Sequence, residues 1–379
     1  MENQANQLGN VEVFKLASGD IDHLFRRSGL KGNRLSAHRY DPEQAATSRP
    51  SELFKTLAES PQFGSIARKV LEPDLKIEFN RGGGSAAEEQ FQVLLSKEDP
   101  AVVAQFVNAE GYPLLLQFEN WRAYLEWWSS IYASPGMGSY QAVFPEVRET
   151  EVLVSALHCI DIYRRSYMES MLDYRSGVEL SLSSQDFVQL LKKALASRDK
   201  RWLLPTLFEL TPGLKNNRLS LQPAHIQQLQ ELGFATSAEG VVTLGERARL
   251  MGTEFITSWM GSVGFQATAL IDEEERSLSR VFLATTAFTN HLFSFENQTP
   301  AGTRFRHQAL SGPELEGTLL HWMEEILAAL SGGSPAPAGA GEVNASPAQA
   351  EPGGSRFCGQ CGAELRPGKK FCTACGTPI

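Results

Sequence analysis

The sequence predicts an α+β fold of antiparallel sheets with packed helices, ending in a small cysteine-rich module. Three observations carry that expectation. Amphipathic stretches with three- and four-residue spacing alternate with short runs of Val, Ile, Leu and Phe, and several of the breaks between those runs are as short as hairpins require. The order helix, four strands, helix occurs twice, over residues 63–133 and 246–330. Two Cys-x-x-Cys pairs close the chain.

With 379 residues, 42% hydrophobic and 21% charged, the chain has the composition of an ordinary globular protein of two or three domains. A net charge of −9 argues against a body that coats nucleic acid, because neutralising phosphates takes clustered Lys and Arg. The N-terminus lacks a basic start followed by an apolar run, and no apolar run approaches the roughly 18 residues of a membrane span. The expectation is a cytoplasmic protein without a membrane span. Of five cysteines, only Cys159 stands outside the terminal pairs. Its apolar neighbours at helical spacing predict a buried, inert thiol.

Residues 1–50 read as an N-terminal arm, extended or partly mobile, with a short helix at 20–27. His23 and His38 fall here and read as solvated or internally satisfied. Residues 51–134 read as a first sheet-and-helix unit. Leu53, Phe54 and Leu57, then Phe63, Ile66, Ala67 and Val70, mark two amphipathic helices, and strands follow at 75–80, 89–96, 101–108 and 113–118. Arg81-Gly-Gly-Gly-Ser85 lacks the Gly-Lys-Ser/Thr ending of a phosphate loop and precedes a strand, so it reads as a hairpin turn. A helix over 121–133 places Tyr124, Leu125, Trp128 and Ile131 on one core face, leaving Trp121 or Trp127 as an anchor for a partner.

Residues 135–245 read as a helical middle. A long helix over 149–173 carries Val152, Ala156, Cys159, Ile160 and Tyr163. Ser183-Ser-Gln-Asp186 starts another, whose early Asp and later Lys192 and Lys193 suit the helix dipole. The stretch 201–251 runs helix, turn, helix, hairpin, which resembles a winged helix, with 223–232 as the reading helix and 234–244 as the wing. That helix offers His225, Gln227, Gln228 and Gln230 but no Arg or Lys, and the wing tip Ser237-Ala-Glu-Gly240 is acidic. Base readout calls for the opposite, which favours protein contact over DNA.

Residues 246–330 read as a second sheet-and-helix unit: a helix at 246–261, strands at 265–272, 280–288, 291–297 and 303–310, and a helix at 312–330. A duplication would let the two units join into one antiparallel sheet with pseudo-twofold symmetry and helices on one face. Duplicated sheet units, helical bundles, and Leu229-Gln-Glu-Leu-Gly-Phe234 followed by a hairpin and helix resemble EspG-type chaperones of type VII secretion. That resemblance, over residues 50–330 by order of elements, implies a non-enzymatic cytosolic accessory of bacterial secretion. It also implies a helical client held on the sheet face or adjoining loops.

Residues 331–355, almost entirely Gly, Ala, Ser and Pro with scattered polar residues, read as a flexible linker. Residues 356–379 spell Phe-Cys-x-x-Cys-Gly twice, with Cys358, Cys361, Cys372 and Cys375 as four metal ligands. Two intervening residues let a tight turn aim both thiolates at one ion, and four thiolates leave no open position for water or substrate. The segment resembles the short zinc ribbons, which implies one structural Zn2+, with rubredoxin-like iron as the competing metal. Arg356, Arg366, Lys369 and Lys370 against Glu364 give it a basic rim.

No catalytic constellation emerges. His291, His307 and His321 are dispersed, Glu273, Glu274 and Glu275 read as a hairpin turn, and neither Gly-x-Ser-x-Gly nor His-Glu-x-x-His occurs. The expectation is therefore a non-enzymatic protein-binding or chaperone-like adaptor with a tethered zinc ribbon. The alternative is a DNA-associated transcriptional regulator using the winged-helix-like segment and the basic ribbon.

Overall fold

The structure, a computed structural model, describes residues 11–17, 19–84, 89–107, 112–136, 148–211, 214, 223–299 and 302–331. All of them belong to the first of two units of the chain, Met1–Pro335; the second is Ala336–Ile379. In order, the chain forms β1 (Glu12–Lys15), α1 (Asp20–Ser28), α2 (Pro42–Thr47), α3 (Glu52–Glu59) and α4 (Phe63–Leu71). A meander follows, β2 (Leu75–Gly82), β3 (Glu89–Leu95), β4 (Val102–Val107) and β5 (Pro113–Phe118), then α5 (Trp121–Tyr132). The middle comprises β6 (Arg148–Glu149), α6 (Thr150–Leu172), β7 (Ser181–Ser183), α7 (Ser184–Ala196), α8 (Leu203–Leu210), α9 (Pro223–Glu231), β8 (Ala235–Ala238) and β9 (Val241–Leu244). The last part is α10 (Glu246–Thr257), β10 (Trp259–Ile271), β11 (Glu274–Thr286), β12 (Asn290–Thr299), β13 (Gly302–Leu310) and α11 (Gly312–Leu330).

Both strand runs belong to one ten-stranded antiparallel sheet, ordered β1-β5-β4-β3-β2-β10-β11-β12-β13-β6. The units expected at 51–134 and 246–330 therefore share a sheet, and their seam is the pairing of β2 with β10, where Phe79 faces Phe265 and Ile77 faces Ala267. Phe79 stacks on Phe91 and meets Phe265 edge-on, each at 4.7 Å. Interlocked aromatics of this kind add specific geometry to apolar burial. Leu75, Ile77 and Phe79 alternate with half-buried polar residues, so one face of β2 packs on α5 and α11.

Helices cover both faces of the sheet, a correction to the expectation of one. α5 and α11 bury Tyr124, Leu125, Trp128, Leu315, Leu319 and Met323 against one face. On the other face, α1, α3 and α4 cover Leu94, Val103 and Leu115, while α6, α8, α9 and α10 cover Phe282, Phe293 and Phe305. Ser51, Asn120, Ser183 and Ser311 accept hydrogen bonds from the first-turn amides of α3, α5, α7 and α11, and Glu314 completes a capping box at Ser311.

The expected arm is corrected as well. In its described part, β1 pairs with β5 at the sheet edge, and Leu16, Leu24, Phe25 and Leu35 are buried. The Asp20 carboxylate accepts from the Ala17 and Ser51 amides and from Ser51 Oγ, which fastens α1 to the start of α3. The helix expected at 246–261 stops at Thr257, because Trp259 already pairs with Thr286 as the start of β10.

Candidate functional site

α6 changes character along its length. From Val152 to Arg164 it is buried on all sides, whereas Met168, Met171 and Leu172 near its end are 39%, 61% and 77% exposed. Apolar residues in that position are not held by the core. The helix closes with the Arg175 amide donating to the Ser170 carbonyl at 2.8 Å and Tyr174 in the left-handed region at φ 55°. Glycine is the usual residue there, and the tyrosine ring is 97% exposed.

α7 buries Phe187 and Leu191 and exposes Val188 and Leu195. A groove of about 430 Å³ runs between α6 and α7, with Ile162, Met168, Leu172, Leu190, Trp202 and Pro205 among its walls. Its floor is tied by hydrogen bonds between α6 and α8. Asp161 accepts from Arg164 Nη1 at 2.9 Å and from the Leu203 and Leu204 amides at 3.0 and 2.9 Å, capping α8 from a neighbouring helix. Burial raises the Asp161 pKa, opposed by Arg164 and these amides. The Arg164 guanidinium lies over Trp202 at 5.3 Å and Trp259 at 4.7 Å.

His158, also in the floor, bonds through Nε2 to the Phe187 carbonyl at 3.1 Å, and burial pushes its pKa down to about 4. At the rim Arg165 pairs with Glu169 at 2.7 Å. Lys192, Lys193 and Arg198 are exposed and form no ion pair with the described residues, but only Lys193 lines the groove. The groove is thus an apolar trough with unpaired Lys193 at its edge, suited to an amphipathic helix bearing an acidic flank.

Other residues singled out by the sequence are differently placed. Trp121 is buried and Trp127 is half-buried against Phe106 and Phe118, so neither is a projecting anchor; Ile131, expected in the core, is 50% exposed. The Cys159 thiol is buried and its pKa pushed up to about 12. His23 bonds with Ser48 Oγ, and His38 with Gln105. His225 turns inward, 2.6 Å from Glu149, while Gln227, Gln230 and the tip residues Ser237, Glu239 and Gly240 are exposed.

His291 and His307, dispersed in the sequence, meet in the structure. Their rings stack, their nitrogens lie 3.2 Å apart, and Glu254 lies 3.3 Å from His291. Both rings are fully buried, and burial, then the charges of His291 and Arg247, holds the His307 pKa well below its usual value. His321 is solvated beside Glu324 and Glu325.

Among the described residues no group of three or more His, Cys, Asp or Glu is placed to hold a metal, and no helix is long and apolar enough to cross a membrane. Cys358, Cys361, Cys372 and Cys375 lie outside the described residues. Residues 357–379 match the family model of a zinc-ribbon domain. The donor set of paired cysteines in that match fits zinc. A comparison with curated proteins gives no match.

Proposed function

We propose that this is a cytoplasmic, non-enzymatic adaptor, chaperone-like in action, that holds an amphipathic helix of a client protein in the α6–α7 groove. The observation that carries the reading is the groove itself, open between two helices and continued by exposed Met171, Leu172 and Tyr174. A third helix would bury that surface by ordinary ridge-and-groove packing. Uncompensated Lys193, in the groove wall, selects a client helix with an acidic flank.

The order of elements supports a duplication: α4-β2-β3-β4-β5-α5 and α10-β10-β11-β12-β13-α11 run outward from the β2–β10 seam in the same sequence. The likeness to EspG-type chaperones rests on that order. The winged-helix-like reading of residues 201–251 draws support from the hairpin β8-β9 beside α9, to which β7 adds a third strand. With His225 turned inward and no Lys or Arg on α9, the segment suits a protein surface better than DNA.

Cys358, Cys361, Cys372 and Cys375 are assigned as ligands of one structural zinc, which would fold residues 356–379 into a second contact module. When bound, the ion supplies a tetrahedral anchor for the fold.

Two designed amphipathic helices of about 20 residues, identical in their apolar face and flanked by Glu or by Lys, test the groove. The Glu-flanked helix is expected to bind the full chain more tightly, and Leu190→Asp to abolish binding. Failure of both helices to bind, or equal binding to Leu190→Asp, overturns the reading.

A further inference from the structure

A row of polar side chains crosses the middle of the large sheet. Gln105 of β4 lies opposite Gln92 of β3, Gln92 opposite Glu78 of β2, Glu78 opposite Gln266 of β10, and Gln266 opposite Arg280 of β11. Five neighbouring strands thus present polar groups in register over about 19 Å, given a strand spacing of about 4.8 Å. The alternate residues Ile77, Phe79, Val93, Ala104, Phe265 and Val281 all enter the core beneath α5 and α11. The row therefore occupies the opposite face.

At each end the same register position becomes apolar and buried: Leu115 beyond Gln105, Phe295 beyond Arg280. Those residues lie under the two helical groups of that face. Along one flank, α8 sits directly on the sheet, since a Cβ on Gly264 would lie 1.8 Å from the Leu210 carbonyl oxygen. Strands covered on both faces ordinarily read as continuous apolar runs, and here the central ones do not.

Nor is the row satisfied from within. Arg280 makes no hydrogen bond or ion pair with the described residues, and its Nε is buried. Burial lowers its pKa, with no carboxylate acting to raise it. Gln92 Oε1 and Gln105 Oε1 are buried without a hydrogen-bond partner, although Gln105 Nε2 reaches His38 at 2.7 Å. Glu78 is occupied by Lys76 at 3.3 Å, which leaves Arg280 as the cation of the row without an anion. Buried polar atoms left unpaired lower stability, and they recur where a ligand completes the hydrogen bonding.

We propose that this row is a binding site for an extended, polar peptide segment carrying a carboxylate that pairs with Arg280. The half-buried Gln266 amide can donate to and accept from a peptide main chain, and about six extended residues cover the length of the row. A guanidinium receives a carboxylate through two parallel hydrogen bonds, which fixes the direction of the segment. The site is distinct in chemistry and position from the apolar α6–α7 groove, so one can fail without the other.

The test is a display library of random peptides of about six residues, panned against the full chain and against Arg280→Gln. Enrichment of sequences sharing Asp, Glu or a free C-terminus at one end is expected on the native protein. A synthetic version of the best sequence should lose about tenfold or more in affinity with Arg280→Gln and weaken with Gln266→Ala. The Arg280→Gln protein should melt no lower than the native one, because an unpaired half-buried cation does not support the fold. Absence of enrichment, equal binding to Arg280→Gln, or a clear fall in its melting temperature would each overturn the assignment.

Discussion

Burial holds the His158 imidazole neutral down to about pH 4, whereas the same ring in an unfolded chain protonates near 6.5. Below 6.5 the unfolded chain binds the extra proton, so stability falls as pH drops, by about 1.4 kcal/mol per unit at most, until the folded ring also titrates. His307 is depressed in the same direction and adds to the slope. Urea unfolding at pH 7 and pH 5 should therefore show a less stable protein at pH 5. His158→Gln keeps an N–H for the Phe187 carbonyl and cannot ionise, so it should narrow the difference; an unchanged difference would remove His158 from the account. At this scale the sequence foretold the inert Cys159, whose apolar neighbours lie close along one helix. It did not foretell Glu254, His291 and His307 as one cluster, because α10, β12 and β13 bring them together only through strand register. The polar row was partly visible, since Lys76, Glu78 and Asn80 alternate with apolar residues, but such alternation reads as a solvent face until the second helical layer is known.

The end of α6 is the element where local preference and sequence disagree. Tyr174 occupies a left-handed position that glycine fills at least cost, and its exposed ring gains no packing in return. Tyr174→Gly should stabilise the protein by about 1 kcal/mol in chemical unfolding while weakening capture of the Glu-flanked helix. Weaker binding without a stability gain would mean that the turn is not strained. Elements with strong local punctuation are legible: the helix expected at 312–330 is α11, and a capping box of Ser311 and Glu314 fixes its start. The join of α10 and β10 was not, since the apolar spacing of Phe255, Ile256, Trp259 and Met260 also fits a helix, and only pairing of Trp259 with Thr286 decides for a strand. The N-terminal segment was missed for a related reason. Its buried residues Leu16, Leu24, Phe25 and Leu35 are too widely spaced among polar ones to show a period.

At the scale of the whole molecule, the sheet order explains why no linker interrupts the chain between β2 and α11: the two meanders share a seam and neither forms a separate domain. The composition changes only after residue 330, where Gly, Ala, Ser and Pro take over. The zinc-ribbon match covers residues 357–379, a length too short to bury a core, so a bound metal would supply most of the folding free energy of such a module. Cys372→Ser should therefore lose bound zinc, measured by elemental analysis of the purified protein. Its main calorimetric transition should stay where the native chain's lies, because that transition reports the sheet and its two helical layers. Zinc retained at one ion per chain would remove Cys372 from the ligand set. Loss of zinc with a main transition lowered by several degrees would instead show that the ribbon contributes to the stability of the body.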